Sequence, residues 1–317
     1  PIGDEEGSKR LVRLLQTAGL VVDDSVLATL PKWSDFTALY GHEPIIIGLE
    51  TCERYRESLP PAERYIGVAG MFNSGTNLMA ELLLRNCHIP EKKKKYGRRK
   101  TGIEWQVPWG KHPPVSQRLH NVAHHHENVK QEDVLPVATI KDPYFWMGSM
   151  CRHNYSAVWK KKGHCPNLVP NEKDIQNGIK GNSIDGGINV TVKFKPPFFT
   201  EHNSLVGLWN DWYSEYMEIT SFPRLIVRYE DLLLHPEAVT KSVCACGGGT
   251  LMHQNITLVA DSAKEGPGHK GTSGLLDSLM RYGNPQKRTK GMTKDDLLYA
   301  EKHLRKDLLE ALGYTLP

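Results

Sequence analysis

The chain has 317 residues, of which 39% are hydrophobic and 24% are charged, so it is long enough and apolar enough to form a globular core. A net charge of only +4 gives no indication of a nucleic-acid partner, and no apolar run approaches the roughly 18 residues that a transmembrane helix needs. These features exclude a disordered chain and show no bilayer-spanning segment.

The first part of the chain predicts short elements rather than a separate domain. The expected elements are helices at 8–18 and 25–30, a short buried or edge strand at 45–47, and a helix at 52–59 that is stopped by Pro60. We therefore divide the chain into an N-terminal helical extension, residues 1–61, and a core domain, residues 62–317. The opening residues do not resemble a signal peptide, and membrane attachment would require an N-terminal anchor that has been removed.

The core domain begins with the pattern of a strand, a small loop and a helix. An apolar run at 65–69 leads into a turn that contains Gly70 and Gly75, and apolar residues at helical spacing begin at Leu78. Such a loop aims backbone N–H groups and the positive end of a helix dipole at one point, as in phosphate and sulfate sites. The glycine spacing matches the nucleotide P-loop, but Thr76-Asn77 stands where a nucleoside triphosphatase needs Lys-Ser or Lys-Thr. The sequence predicts an anion site that does not serve ATP or GTP.

Seven of the nine residues at 92–100 are basic. Two interpretations are open, a solvated mobile loop and a rim that attracts an acidic substrate. Trp105 and Trp109 follow in a proline-rich turn, where we expect both rings to be exposed. The three consecutive histidines at 124–126 have no second cluster of ligands, and the spacing of Cys244 and Cys246 is too short for a zinc knuckle, so we expect no metal site.

The rest of the chain alternates strands and helices. The predicted elements are a buried strand at 135–140, a helix at 144–159, an insertion at 160–203 with one hairpin strand, an aromatic helix at 204–218, a strand at 222–229, a helix at 236–244, a short strand at 256–259 and a last helix at 293–312. The alternation predicts an α/β fold with three layers and a central parallel sheet. Helical periodicity assigns the aromatic face of 204–218 to the core rather than to a substrate platform.

The six cysteines are even in number, and the chain contains three glycosylation sequons that begin at Asn154, Asn189 and Asn255. This combination favours the secretory pathway, for example the Golgi lumen. The alternative is a cytoplasmic protein with reduced core cysteines and chance sequons. Cys151 and Cys165 bracket a short basic segment and are candidates for a disulfide.

Taken in order and spacing, these segments resemble the sulfotransferases that use 3'-phosphoadenosine 5'-phosphosulfate. The resemblance covers roughly residues 62–317 and is weak between 160 and 203. In that family a Pro-Lys-Ser-Gly-Thr-Thr loop after the first strand holds the 5'-phosphosulfate. The matching residues here are Phe72, Asn73, Ser74, Gly75, Thr76 and Asn77.

The resemblance also implies sites for the rest of the nucleotide. A cation at a strand end and a Ser eight residues later hold the 3'-phosphate in the family, and Lys141 and Ser149 have this spacing with Lys in place of Arg. Tyr229 matches the Tyr of a Tyr-Glu-Asp-Leu segment that lies beside adenine. Two segments, 268–271 and 288–291, resemble the family's basic glycine loop over the 3'-phosphate. We prefer Lys270 of the first segment.

One departure from the family concerns catalysis. Asn73 stands where the family commonly has a Lys or Arg that neutralises charge on the bridging oxygen of the leaving group, so another segment must supply that charge. Lys111 and His112 resemble the family's Lys-x-His-x-Pro motif with a spacing one residue tighter. Lys111 is our candidate for the charge and His112 for the general base, with His120 and Glu91 as reserve bases. The alternative for His112 is a structural role in the proline-rich turn.

The resemblance thus implies an enzyme that moves a sulfuryl group from 3'-phosphoadenosine 5'-phosphosulfate to a hydroxyl, releases adenosine 3',5'-bisphosphate and needs no metal. The expected acceptor is a carbohydrate. The alternatives are a small alcohol or phenol acceptor in the cytoplasm, and a non-catalytic relative that binds nucleotide or glycan. A P-loop kinase is disfavoured, because the Lys-Ser/Thr pair and a magnesium carboxylate are missing.

Overall fold

The computed structural model describes residues 3–97, 100–119, 129–161, 163–261 and 274–317. The helices are α1 (Asp4–Thr17), α2 (Asp24–Thr29), α3 (Trp33–Tyr40), α4 (Cys52–Ser58), α5 (Thr76–Asn86), α6 (Pro90–Tyr96), α7 (Ser116–Leu119), α8 (Pro143–Arg152), α9 (Glu172–Gln176), α10 (Leu205–Glu218), α11 (Tyr229–Leu234), α12 (Pro236–Cys246), α13 (Leu275–Tyr282), α14 (Pro285–Arg288), α15 (Lys294–His303) and α16 (Lys306–Ala311). The strands are β1 (Ile46–Ile47), β2 (Tyr65–Gly70), β3 (Cys87–His88), β4 (Ile103–Glu104), β5 (Val134–Ile140), β6 (Ala157–Val158), β7 (Val190–Lys193), β8 (Phe199–His202), β9 (Leu225–Arg228) and β10 (Thr250–Leu251).

A central sheet has the strand order β1-β9-β5-β2-β4. The strands β4, β2, β5 and β9 are parallel, and β1 pairs antiparallel with β9 at one edge. The predicted α/β class with a central parallel sheet is confirmed at this level. The chain moves from β2 to β4 on one side and then to β5 on the other, so the strand order reverses at β2. Connections that leave in opposite directions open a crevice at the carboxyl ends of the strands, where α/β proteins commonly bind ligands.

Apolar side chains cover both faces of the sheet, because successive residues of a strand point to opposite sides. On one face Ile66, Val68 and Val137 pack with residues of α5 and α12. On the other, Ala69 and Ala138 pack with the aromatic side chains of α10. The aromatic face of α10 therefore belongs to the core, as the periodicity predicts.

The first 61 residues are tied closely to the sheet. They contribute α1 to α4 and also the edge strand β1, whose Ile46 is paired with Val227 of β9. A disulfide between Cys52 and Cys246 joins α4 to the end of α12. The N-terminal part thus supplies a strand of the central sheet in addition to its helices.

Three disulfides are formed, Cys52–Cys246, Cys87–Cys244 and Cys151–Cys165. The last of these is the pair that the sequence singled out. The disulfides are compatible with a secreted or lumenal protein. None of the helices within the described ranges combines the length and the apolar character needed to span a bilayer.

The interpretation of 92–95 as a mobile loop is wrong, because these lysines form α6 behind a proline at its first position, where proline favours a helix. Lys92 is fully buried, its Nζ lies 3.2 Å from the centre of the Tyr65 ring, and burial lowers its pKa to about 8. Lys95 pairs with Glu63. Tyr65 is the first residue of β2, so α6 lies at the end of the strand opposite to the loop at 71–75. The rim interpretation is wrong for these lysines, and Glu91 of the same helix is too remote to serve as a base there.

Several predicted boundaries also differ. The helix expected at 144–159 ends at Arg152, and residues 157–158 instead begin the three-stranded antiparallel sheet β6-β7-β8 that occupies much of the predicted insertion. Residues 256–259 form no strand. The strand in this part of the chain is β10, at 250–251, which pairs with β3. The expected last helix is divided into α15 and α16. Trp109 is fully buried and Trp105 is half-buried, so the expectation that both rings are exposed is wrong.

Candidate functional site

Residues from several segments meet around one cavity of about 330 Å³ at the carboxyl ends of the parallel strands. Four of these segments follow strands of the sheet, namely the loop after β2, the stretch after β4, Lys141 and α8 after β5, and α11 after β9, and α13 with the stretch at 258–261 completes the lining. Of the residues predicted from the sequence, the cavity is lined by Asn73, Gly75, Thr76, Asn77, His112, Lys141, Ser149 and Tyr229. Its size falls within the range of small-molecule sites.

The loop at 71–75 requires an unusual backbone at two positions. Asn73 has φ of 62° and Gly75 has φ of 93°, in the left-handed region that Gly and Asn tolerate best. A Cβ atom on Gly75 would lie 2.2 Å from Cδ2 of Tyr229. Gly75 thus allows both the turn into α5 and direct contact with the Tyr229 ring. Ser74, in contrast, is fully buried, where its hydroxyl contacts Met71 and Thr139 rather than the cavity.

The amide of Asn73 is committed to protein contacts. Its Nδ2 donates to the carbonyl of His153 at 2.7 Å and approaches Sδ of Met150 at 3.2 Å. The side chain therefore fastens the loop to the end of α8. In this arrangement Asn73 makes the loop rigid, but its neutral side chain does not supply the positive charge that the family commonly has at this position.

Lys141 lies at the end of β5 with 4% of its surface exposed. Its Nζ donates to the hydroxyl of Tyr282 at 3.0 Å and lies 3.9 Å from the centre of the Tyr229 ring. Burial of Tyr282 is the largest single influence and opposes ionisation, but the charge and hydrogen bond of Lys141, together with Ser149 and Arg152, outweigh it and lower the pKa of the Tyr282 phenol. An anion that entered here would meet a cation already held in place.

Buried carboxylates position this strand end. Asp142 caps α8 by accepting from the N–H groups of Tyr144 and Phe145, and it forms a buried ion pair with Arg288. Glu230 accepts from the N–H of Asp142 and from Tyr314. Burial, together with the charge of Asp142, raises the pKa of Glu230 to about 7. Arg288 is thus a structural residue, and the segment 288–291 does not line the cavity.

Ser149 lies two turns into α8 from Lys141, where its hydroxyl donates to the carbonyl of Phe145 at 2.9 Å and accepts from Nη2 of Arg152 at 2.9 Å. Arg152 and Arg281 both line the cavity, although the sequence analysis did not select either. Arg152 follows Ser149 by three residues, the spacing of neighbours on one helix face, and this signal could have identified it. Two carboxylates, Asp261 and Asp277, line the wall on which Arg281 lies.

The segment 111–112 is bonded directly to the end of β2. The N–H of Gly70 donates to the carbonyl of Lys111 at 2.9 Å, and Nδ1 of His112 lies 2.7 Å from the carbonyl of Gly70. A carbonyl only accepts, so Nδ1 carries the proton and Nε2 carries the lone pair of the neutral ring. The indole of Trp212 donates to the carbonyl of His112 at 2.9 Å. The imidazole is thus oriented through Nδ1, while Trp212 holds the backbone of the same residue.

Lys111 does not line the cavity itself but is hydrogen-bonded to Asn77, which does. It is 7% exposed, its Nζ donates to Oδ1 of Asn77 at 3.0 Å, and it lies 3.8 Å from the centre of the Trp105 ring. Asn77 lines the cavity, whereas Lys111 does not. The charge of Lys111 is thus one hydrogen bond away from the cavity.

Two of the predicted residues, Lys270 and His120, lie outside the described residues. Within the described part of the chain, no group of three or more His, Cys, Asp or Glu side chains could hold a metal ion. Comparisons with protein-family models, with curated proteins and with solved structures give no match to this chain.

Proposed function

We propose that the protein is a sulfotransferase that uses 3'-phosphoadenosine 5'-phosphosulfate. The observation that carries the proposal is the meeting, around one cavity, of the loop at 73–77, Lys141, Ser149 and Tyr229, which the sequence resemblance assigned to one nucleotide. These segments are separated by up to about half of the chain, so chance alone would rarely bring all of them to one cavity.

Each part of the nucleotide has a matching part of the cavity. The amino end of α5, with Thr76 and Asn77, offers N–H groups and a helix dipole to the 5'-phosphosulfate. Lys141 and the Ser149–Arg152 pair offer one cation, one hydroxyl and a guanidinium to the 3'-phosphate. Tyr229 and an apolar wall, made of Leu232, Leu233, Pro236, Leu258 and Val259, suit the adenine.

His112 is the proposed general base. Its Nε2 takes the proton of the acceptor hydroxyl while that oxygen attacks sulfur, and the bond between sulfur and the 5'-phosphate oxygen breaks. The products are the sulfate ester and adenosine 3',5'-bisphosphate, with the proton on His112. As in phosphoryl transfer, the protein contributes mainly position and electrostatic stabilisation.

The proposed acceptor is a carbohydrate. The ring of Phe72 lies 4.6 Å from that of His112 and stacks on that of Tyr155 at 5.4 Å, and all three line the cavity. Tyr155 is 43% exposed and has φ of 48°, a strained value for a bulky residue. An exposed aromatic face beside the base suits the apolar face of a sugar ring. This pair takes the place of the buried Trp109 as the proposed stacking surface.

Transfer from radiolabelled donor tests the proposal. Purified protein is incubated with 3'-phosphoadenosine 5'-[³⁵S]phosphosulfate and a panel of glycans, small alcohols and phenols. We expect label on a glycan with stoichiometric release of adenosine 3',5'-bisphosphate. Label on a phenol alone would favour the small-molecule alternative.

A non-catalytic nucleotide-binding protein is the second candidate, and the neutral Asn73 favours it. Tight binding of adenosine 3',5'-bisphosphate without transfer to any acceptor of the panel would support this candidate against an enzyme.

A further inference from the structure

A second cavity, of about 480 Å³, lies between the N-terminal helix and the beginning of α12. One face of α1 contributes Arg10, Arg13, Leu14 and Thr17, which follow one another at helical spacing. The opposite wall is formed by the end of α11, the first turns of α12 and the extended segment at 256–258. None of the sites described above uses this cavity.

The polar part of the lining is mostly basic. We call Arg10, Arg13, His235 and Lys241 the basic rim, and the one carboxylate in the lining is that of Glu237. Arg13 also pairs with Glu6 at 3.3 Å, but both side chains are more than half exposed, so this ion pair is weak and can be exchanged. The rim therefore favours an anion.

His235 is arranged as a hydrogen-bond donor. Nη2 of Arg10 lies 2.8 Å from Nδ1 of His235 and also donates to the carbonyl of Leu234 at 3.3 Å, while the guanidinium stacks over Trp33 at 4.9 Å. Arginine only donates, so Nδ1 of His235 accepts and Nε2 carries the proton. Burial and the neighbouring arginine charges lower the pKa of His235 to about 4, which keeps this neutral tautomer at neutral pH. His235 is 6% exposed, and no hydrogen-bond partner for its Nε2 occurs among the residues that the structure describes.

The remaining lining is apolar. Leu14, Leu234, Pro236, Ala238, Ile256 and Leu258 form what we call the apolar floor. A cavity with a basic rim and an apolar floor has the two-part chemistry of an amphiphile. Pro236 and Leu258 also line the first cavity, so the two cavities share a wall.

We propose that the second cavity binds a small amphiphile, with an anionic head such as sulfate, phosphate or carboxylate on the basic rim and an apolar body on the apolar floor. Arg10 acts as a positioning residue that fixes His235, while Arg13 and Lys241 contact the head. The two sites share Pro236 and Leu258, but Arg10, Arg13 and Lys241 line only the second cavity, so binding of the amphiphile does not depend on the proposed nucleotide.

Titration calorimetry with octyl sulfate below its micellar concentration tests the proposal, with methyl sulfate and octyl glucoside as probes that lack the chain or the charge. We expect octyl sulfate to bind more tightly than either. Arg13→Gln combined with Lys241→Gln should weaken it by about tenfold or more, because both head-group cations are lost. Both side chains lie at the protein surface, so this variant should fold.

Two controls separate this site from other cationic surfaces. Lys173→Gln with Lys302→Gln removes the same charge from exposed positions elsewhere and should leave the octyl sulfate affinity unchanged. Lys141→Gln removes the cation of the first cavity and should also leave it unchanged. The proposal is overturned if octyl glucoside binds as tightly as octyl sulfate, if the Arg13 and Lys241 variant keeps full affinity, or if the affinity is lost in the Lys141 variant instead.

Discussion

Lys111 donates a hydrogen bond of 3.0 Å from Nζ to Oδ1 of Asn77, the second residue of the helix that follows the anion-binding loop. With Oδ1 occupied by Lys111, Asn77 has its amide N–H groups to offer to the cavity. In the proposed enzyme, Lys111 thus strengthens a neutral donor instead of contacting the sulfuryl group. The charge that Asn73 lacks would act through this one intervening amide.

Replacing Lys111 by Met should lower kcat by about 10²-fold, the range found when one preorganised transition-state donor is lost, with little change in nucleotide affinity. Lys111→Arg should retain part of the activity. In the background of Asn77→Ala, Lys111→Met should cost little more, because the two residues act as a unit. Steady-state kinetics and nucleotide titration of the four proteins give the comparison. Additive losses would contradict action through Asn77.

His112→Ala should reduce transfer by about 10²- to 10⁴-fold, because the acceptor hydroxyl then loses its base. Binding of adenosine 3',5'-bisphosphate should be kept, since the base contacts the acceptor and not the nucleotide. The same variant should lose the acidic limb of the pH dependence of kcat. His153, a second histidine at the cavity, gives the matched control, and His153→Ala should retain that limb. Full activity of the His112 variant would assign this residue a structural role in its turn.

Lys141→Ala and Ser149→Ala should each weaken adenosine 3',5'-bisphosphate. The larger loss, about tenfold or more, is expected for Lys141, because a charged hydrogen bond to phosphate is stronger than a neutral one. Lys180→Ala, at a different surface, serves as control. The effect of Lys141 should largely disappear for adenosine 5'-phosphate, which has no 3'-phosphate. Equal losses for both nucleotides would place the 3'-phosphate elsewhere.

Glu230 should make stability depend on pH. Its pKa is raised by burial from about 4.5 to about 7, so the unfolded chain ionises first as pH rises. The free energy of unfolding therefore falls between about pH 4.5 and 7. Above that window the fall reaches roughly 3 kcal/mol. Glu230→Gln should flatten the fall of Tm across this range, whereas Glu310→Gln, at an exposed position, should not. An unchanged slope in the Glu230 variant would show that Glu230 is ionised in the folded protein.

The sequence predicted β1, β2, β5 and β9 of the central sheet, but not the two-residue strand β4, because the predicted strands lie in clear local patterns of apolar residues. Apolar runs identified β2 and β5, and glycine spacing identified the loop that joins β2 to α5. Parallel pairing then places strand ends together without further information. The assignment of Lys141, Ser149 and Tyr229 to one nucleotide came from the resemblance, and parallel pairing explains why these residues line one cavity.

Features that depend on distant contacts could not be predicted in this way. The burial of Lys92 depends on the ring of Tyr65, and the burial of Trp109 depends on α10 and the segment around Phe222. The exposed Tyr155 is held by Phe72, a contact between segments more than eighty residues apart. Likewise Lys111 reaches Asn77 only because the backbone at 111–112 is bonded to Gly70.

Titration calorimetry with adenosine 3',5'-bisphosphate and with ATP, each with and without Mg²⁺, tests the central claim most directly. The proposed site has a cation and a hydroxyl for a 3'-phosphate, and its loop lacks the Lys-Ser or Lys-Thr pair of ATP sites. We therefore predict that adenosine 3',5'-bisphosphate binds at least about a hundredfold more tightly than ATP, independently of Mg²⁺. Equal affinities, or binding that requires Mg²⁺, would contradict the assignment as a sulfotransferase.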